Sequence, residues 1–380
     1  MTIVYCIDSI HGIGGIQHAT LMKANALAED HRNSVWIIYA DGSGKRYFPL
    51  STKVHTINLG INYYEDDWKS RWFTVKGILF KRRKHKWGLK RAFGDIHPDI
   101  VIAVGQSEKN LVPAIRGKWA IIREFHYGRN YRLMSATTLF DQILAIAGNL
   151  VDSFSLRRYD RIVVLTHEDK DSHWKSFHNV DVIPNPIEPS NSRTASLDDN
   201  RVIAVGRLAY PKNFESLIRA YSLVSTRFPN WNLAVFGEGN ERTSLEMTIK
   251  QRGLSHSIHL MGQTPNIPME LLSSSIFALS SRFEGFGLAI LEAMNYGLPV
   301  VSYACPFGPR DIIRDGVDGF LVPPGNETML AERICQLIED KNLRRKMGAA
   351  AQERAKEFSL EKIIPMWTNL FEELVKEKKK

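Results

Sequence analysis

Residues 280–294 read Ser280-Ser281-Arg282-Phe283-Glu284-Gly285-Phe286-Gly287-Leu288-Ala289-Ile290-Leu291-Glu292-Ala293-Met294. They follow Ile276-Phe277-Ala278-Leu279, an apolar run of strand length, then turn on two glycines and enter a helix-forming segment. A strand, a glycine-rich turn and a helix in this order aim free backbone N–H groups and the positive helix end at whatever binds there, which suits an anion. Glu284 stands in the turn, and Glu292 stands eight residues later, about two turns into the helix. A carboxylate would repel a phosphate, so both glutamates suit neutral hydroxyls of the same ligand. An anion carrying several hydroxyls describes a nucleotide-sugar. Alone, the spacing has a plainer explanation, with Glu292 an exposed helix residue and Glu284 a first-turn acid favoured by the dipole.

Three other stretches support the ligand. Thr2–Ile7 reads as a buried strand, Asp8–Gln17 as a loop containing Gly12, Gly14 and Gly15, and the chain then forms a helix to about Leu27 and a strand at Trp36–Tyr39. That is a βαβ unit of a parallel sheet. Two adjacent glycines opening a helix at a strand's carboxyl end suit a ligand loop. A dinucleotide fingerprint would need a further glycine where Gln17 stands, which disfavours nicotinamide or flavin. In the second half, strand Val202–Val205 leads into Gly206-Arg207-Leu208-Ala209-Tyr210-Pro211-Lys212-Asn213 and a helix from Phe214 to Phe228. Arg207 and Lys212 flank that loop, and two fixed cations there suit a diphosphate better than they suit a bare surface. Finally, strand Trp119–Ile122 runs into Arg123-Glu124-Phe125-His126, placing His126 past a strand's carboxyl end, where open α/β sheets bind ligands. A lone histidine is more often structural, and position raises this one above that background.

The chain has 380 residues, 44% of them hydrophobic, and a net charge of +9, enough for two or three domains and an anionic partner. Cys6, Cys305 and Cys335 show no paired spacing, which argues against a disulfide framework or zinc site and fits a reducing cytosol. No signal peptide is visible, and no uninterrupted apolar run is long enough to span a bilayer. Asp169 and Asp171 match a metal-binding carboxylate pair, but a helix capped by Thr166 with acids in its first turn explains them more simply. From Trp72 to Arg91, aromatic residues interleave with Lys81, Arg82, Arg83, Lys84, Lys86, Trp87 and Lys90. The pattern reads equally as a membrane-surface segment or a solvated helix face. Polar residues from Glu188 to Asn200 read as a linker.

Taken together, these motifs resemble the retaining nucleotide-sugar glycosyltransferases of family 4. The resemblance is carried by Gly14-Gly15, Gly206-Arg207 with Lys212-Asn213, Gly237-Glu238-Gly239, the stretch from Ser281 to Ala293, Gly297–Val301 and Gly316–Val322, and is dense from about residue 200 to 360. Cys305-Pro306-Phe307-Gly308-Pro309-Arg310-Asp311 resembles a bacterial subgroup that extends polyprenyl-linked oligosaccharides with hexoses or N-acetylhexosamines. The resemblance implies an α/β chain of GT-B fold, with two Rossmann-like domains of parallel sheet facing across a cleft. An acceptor domain would cover 1–187, a linker 188–200 and a donor domain 201–357, with a last helix, 358–380, crossing back.

By the same resemblance, Arg207 and Lys212 hold the donor diphosphate, Glu292 the ribose and Glu284 the sugar hydroxyls. Gly285, Phe286, Gly287 and Leu288 line the sugar and phosphate, with Gly206 and Gly237 beside the donor. Gly14 and Gly15 approach the phosphate from the other domain. His126 stands near the donor sugar and acceptor, although Glu124-Phe125-His126-Tyr127 departs from the family's His-Asp. No metal or cofactor is expected. The expected partners are a nucleotide-sugar donor, a polyprenyl-diphosphate-linked glycan acceptor and an anionic membrane surface reached through Trp72 and the Lys81–Trp87 cluster. The expected location is the cytoplasm, on the inner face of the plasma membrane. A nucleotide-sugar 2-epimerase of the same fold is the alternative. A nucleic-acid-binding protein would leave Arg207, Glu284 and the glycine loops unexplained.

Overall fold

The computed structural model describes residues 1–63, 71–115, 117–136, 138–190 and 193–379, and the side chains of 71–76, Trp72 among them, lie outside the described residues. The first half alternates β1 (Thr2–Ser9), α1 (Gly15–Glu29), β2 (Ser34–Asp41), β3 (Val54–Asn58), α2 (Arg71–Ile96), β4 (Ile100–Ala103), β5 (Ala120–Glu124), α3 (Tyr131–Met134), α4 (Leu139–Leu156), β6 (Arg161–Val164), α5 (His167–His173) and β7 (Val180–Val182). All seven strands are parallel, in the order β3-β2-β1-β4-β5-β6-β7. The order reverses between β1 and β4, which opens a crevice at the carboxyl ends of those two strands. Alternate residues of β1 feed two cores. Ile3, Tyr5 and Ile7 pack with α1, while Val4 and Cys6 pack on the other face with Leu89, Ala92 and Phe93 of α2 and Leu156 of α4. Helices α2 and α4 therefore cover one face of the sheet and α1 the other.

The second half contains β8 (Arg201–Val205), α6 (Phe214–Arg227), β9 (Asn232–Phe236), α7 (Arg242–Gln251), β10 (Ile258–Gly262), α8 (Ile267–Leu272), β11 (Ile276–Leu279), α9 (Leu288–Asn295), β12 (Val300–Tyr303), α10 (Pro309–Ile312), β13 (Gly319–Val322), α11 (Glu327–Glu339) and α12 (Lys341–Ala355). Its six parallel strands run β10-β9-β8-β11-β12-β13, reversing between β8 and β11. Central strand β11 is apolar throughout and wholly buried, as a parallel strand covered on both faces must be. The two facing doubly wound sheets are those of the GT-B fold.

The last helix, α13 (Leu360–Lys379), belongs to the first core. Ile363, Trp367, Leu370, Phe371 and Leu374 pack with Leu21, Ala24 and Ile3, and Arg161 pairs with Glu373 and Glu377. Full burial of such a side chain contributes about 1.5–3 kcal/mol, so five anchor the helix firmly. The stretch between the sheets is also docked. Ala195 and Leu197 join the second core, and Arg344 donates to the Leu197 carbonyl at 3.1 Å from Nε. Where the chain leaves the first sheet, the Ile187 amide donates to the Phe358 carbonyl at 2.9 Å.

One helix was hidden in the sequence. By length and composition, α4 is apolar enough to cross a bilayer. Asp141, Asn149 and Asp152 interrupt its apolar run, and only its placement in the fold shows which side faces the protein.

Candidate active site

The turn after β11 is shaped by two glycines. Gly287 caps α9 at φ +100°, a left-handed conformation that side chains strain to adopt. Helix α9 begins only at Leu288, so Glu292 lies just over one turn into it, not two. Gly285 allows the domains to meet, since a Cβ there would sit 1.9 Å from the carbonyl oxygen of His126. A Cβ on Gly15 would lie 3.2 Å from Leu288 Cδ1, so the glycine loop after β1 also abuts the turn after β11. Gly237, after β9, has φ +147°, and a Cβ on it would lie 1.9 Å from the carbonyl oxygen of Gly206. The loops after β8, β9 and β11 thus converge with those after β1 and β5.

Within this convergence Glu284 is nearly buried and fully engaged. Lys212 Nζ donates to its two oxygens at 2.7 and 2.9 Å, and Ser281 Oγ donates to Oε1 at 2.5 Å. The Glu284 amide donates to the Pro306 carbonyl at 2.6 Å. Arg207, at the end of β8, is exposed, and among the described residues its guanidinium has no hydrogen-bond or ion-pair partner. On α9, Glu292 Oε1 lies 3.4 Å from Nδ1 of His18, whose ring stacks on Phe48 at 4.2 Å.

The first domain contributes a buried cluster of three titratable groups. Nε2 of His126 lies 3.0 Å from Glu124 Oε1, and the same oxygen takes the Lys23 ammonium, which sits 4.7 Å over the Trp367 ring of α13. Burial alone would raise the Glu124 carboxyl, but the attraction of Lys23 and then His126 overrides it and holds the group at about 2. Burial pushes His126 and Lys23 down, with Glu124 opposing. Lys23 and Glu124 escaped the sequence reading, although Lys23 stands among buried apolar residues of α1 and Glu124 two residues before His126. A second clasp joins the domains at Cys305–Asp311. There Asp311 accepts from the His167 amide at 2.7 Å, capping α5, and Arg310 pairs with Glu168 at 2.5 Å.

Other candidates lie elsewhere. Asp169 accepts from Trp174 Nε1 at 3.1 Å through its carboxylate, and its backbone amide donates to Thr166 Oγ1, the cap of α5, at 3.1 Å. In the Trp72–Arg91 segment, Lys81 and Lys84 donate to the carbonyls of Asn62 and Gly60, and Arg82, Arg83, Lys86 and Trp87 are exposed on α2.

Residues 188–354 match the family of glycosyl transferases group 1. The amylovoran biosynthesis glycosyltransferase AmsD of Erwinia amylovora is 26% identical across 96% of this chain and 97% of its own. An N-acetyl-D-galactosaminyltransferase of Campylobacter jejuni, named for a diNAcBac-PP-undecaprenol-linked acceptor, is 24% identical over 98% of this chain and 99% of its own. The chain is a GT-B glycosyltransferase. Its fold superposes on that of S. aureus TarM, solved in complex with UDP, with a TM-score of 0.77 over 97% of this chain and 99% of that one at 16% identity. In this glycosyltransferase the matched family segment holds Arg207, Lys212, Glu284 and Glu292, while Gly14, Gly15 and His126 face them from the other domain.

Proposed function

We propose that the enzyme moves a hexose or N-acetylhexosamine from a UDP-sugar, with retention and without a metal, to a polyprenyl-diphosphate-linked glycan in surface polysaccharide biosynthesis. The work is done at the cytoplasmic face of the membrane. One observation carries the reading. At the switch between β8 and β11, an exposed Arg207, without a side-chain partner among the described residues, stands in the same domain as a Lys212–Glu284 pair, in a cleft walled by glycine backbone. The leaving diphosphate takes Arg207, Lys212 and the amides of Gly14 and Gly15. Glu292 takes the ribose and Glu284 the sugar hydroxyls. His126 stands at the sugar end, with its carbonyl against Gly285.

Transfer develops positive charge on the sugar and negative charge on the diphosphate, and fixed cations aimed at the latter stabilise the transition state. Both Glu284 oxygens already accept hydrogen bonds, which suits it to bind hydroxyls and blunts it as a nucleophile. Retention then follows from attack by the acceptor hydroxyl on the face the diphosphate leaves, with the diphosphate taking its proton. The test is thermal shift against a panel of nucleotide-sugars. A donor at 100 times its Kd stabilises by about 2.7 kcal/mol. A UDP-sugar should raise the melting temperature, and a panel with no stabilising member overturns the reading.

Metal independence follows from the same residues. The cations already present neutralise the diphosphate, and the Asp169 carboxylate is taken by Trp174 Nε1 and the Arg129 amide. Transfer should persist in excess chelator at its untreated rate. Loss on chelation, with recovery on adding magnesium or manganese, would restore a metal role.

A further inference from the structure

Helix α4 wears its faces in reverse. The side turned to the protein is polar. Asp152 accepts from Lys109 at 2.6 Å and Arg132 at 3.0 Å, Ser153 Oγ accepts from Arg129 at 3.0 Å, and Asn149 donates to Asn130 at 3.3 Å. The outward side is apolar, with Phe140, Ile143, Leu144, Leu150, Val151 and Phe154 between 54% and 73% exposed. At 1.5 Å per residue the stripe from Phe140 to Phe154 runs about 21 Å of the helix. Soluble proteins rarely leave so large a contiguous apolar surface uncovered.

We propose that this face of α4 lies in the interfacial layer of an anionic bilayer, parallel to its plane. The proposal rests on the membrane side of the function above and not on its donor chemistry. Charge selects lipid over a second copy of the chain. Helices α2 and α4 cover the same face of the first sheet. There α2 exposes Arg82, Arg83, Lys86, Lys90 and Arg91, and α4 runs into exposed Arg157 and Arg158. Two copies paired through α4 would bring two such basic sets together, whereas anionic headgroups neutralise them. Phe80 and Trp87 of α2 are 70% and 63% exposed; Trp settles at membrane interfaces, and Phe and Trp both occur on the apolar face of interfacial helices. A spanning orientation fails because the Asp152 ion pairs and the Arg129 and Asn130 contacts tie the other face of α4 to the domain. The arrangement is an in-plane amphipathic anchor flanked by cations.

The test is flotation of the full chain with vesicles of neutral lipid alone or with a third phosphatidylglycerol. Wild type should float with the anionic vesicles. The triple variant Phe140→Ser, Leu150→Ser, Phe154→Ser should lose at least tenfold in partitioning at both low and high salt. Replacing Arg82, Arg83 and Lys86 with Gln should lose roughly fivefold per charge, and only at low salt. A second measurement needs no destabilising change. The native cysteines are all buried, so a dye on Ile143→Cys reports α4 alone. Its emission should be quenched by brominated acyl chains in the anionic vesicles. Wild type that does not float, or a dye that is not quenched, overturns the proposal. So does a solution dimer that the triple variant dissociates while vesicle binding is unchanged. Stabilisation by UDP-sugar without flotation would sink the docking and spare the transferase reading, and the reverse pair of results would do the opposite.

Discussion

Arg207→Ala is expected to lower turnover roughly 100- to 1,000-fold, the usual loss when one preorganised donor to a developing charge is removed. Arg207 stands free of intramolecular partners among the described residues, so its removal strands no internal acceptor and the fold should survive intact. Glu284→Gln separates the roles. The change keeps the shape but loses the charge that holds Lys212 at 2.7 Å, and hydrogen bonds to a charged group are worth about 1.5–3 kcal/mol. With the carboxylate gone, Lys212 is freed toward the diphosphate. Glu284→Gln should therefore bind bare UDP about as well as wild type, while transfer falls. Arg207→Ala should lose both. Calorimetric UDP binding beside steady-state transfer distinguishes the variants. Wild-type transfer by Glu284→Gln, or loss of UDP binding equal to that of Arg207→Ala, would show that the assigned roles are wrong.

Glu124→Gln should cost about 3–5 kcal/mol of stability, because it leaves the Lys23 ammonium buried without a counter-charge. Adding Lys23→Met should recover most of that loss, since replacing both members of a buried pair is often close to neutral. If Glu124→Gln costs under about 1 kcal/mol by denaturant unfolding, the pair is not what holds β5 to α1. A pH signature accompanies it. The folded Glu124 carboxyl, at about 2, lies below its unfolded value of roughly 4.3, so its contribution is complete above that value and is lost as pH falls toward 2. The double variant should lack that part of the acid loss.

The sequence made legible whatever is written locally. The parallel sheets followed from apolar runs alternating with helical segments, and the turn after β11 from glycines that the backbone requires at Gly285 and Gly287. What escaped it was set by partners distant in the chain. Glu124 and Lys23 are 101 residues apart, and the apolar neighbours of Lys23 hint at its burial without naming its partner. In α4 the pattern of apolar and polar residues fits an ordinary amphipathic helix. Which side faces inward was decided by Lys109, Arg129 and Arg132, which draw its polar side onto the domain. Glu292 was counted from Glu284, but the left-handed Gly287 delays the helix start to Leu288.

The chain passes between the domains twice, once after Ile187 and again before α13, and the two passages are hydrogen-bonded to each other through Ile187 and Phe358. A single passage would act as a ball joint, free to swivel and twist. Two passages fastened side by side act as a door hinge with one axis. An opening that admits a donor is then expected to swing about that line, and interdomain distances measured with and without UDP would check it. The contacts of Gly285 with the His126 carbonyl and of Gly15 with Leu288 are the ones such a swing would part and remake.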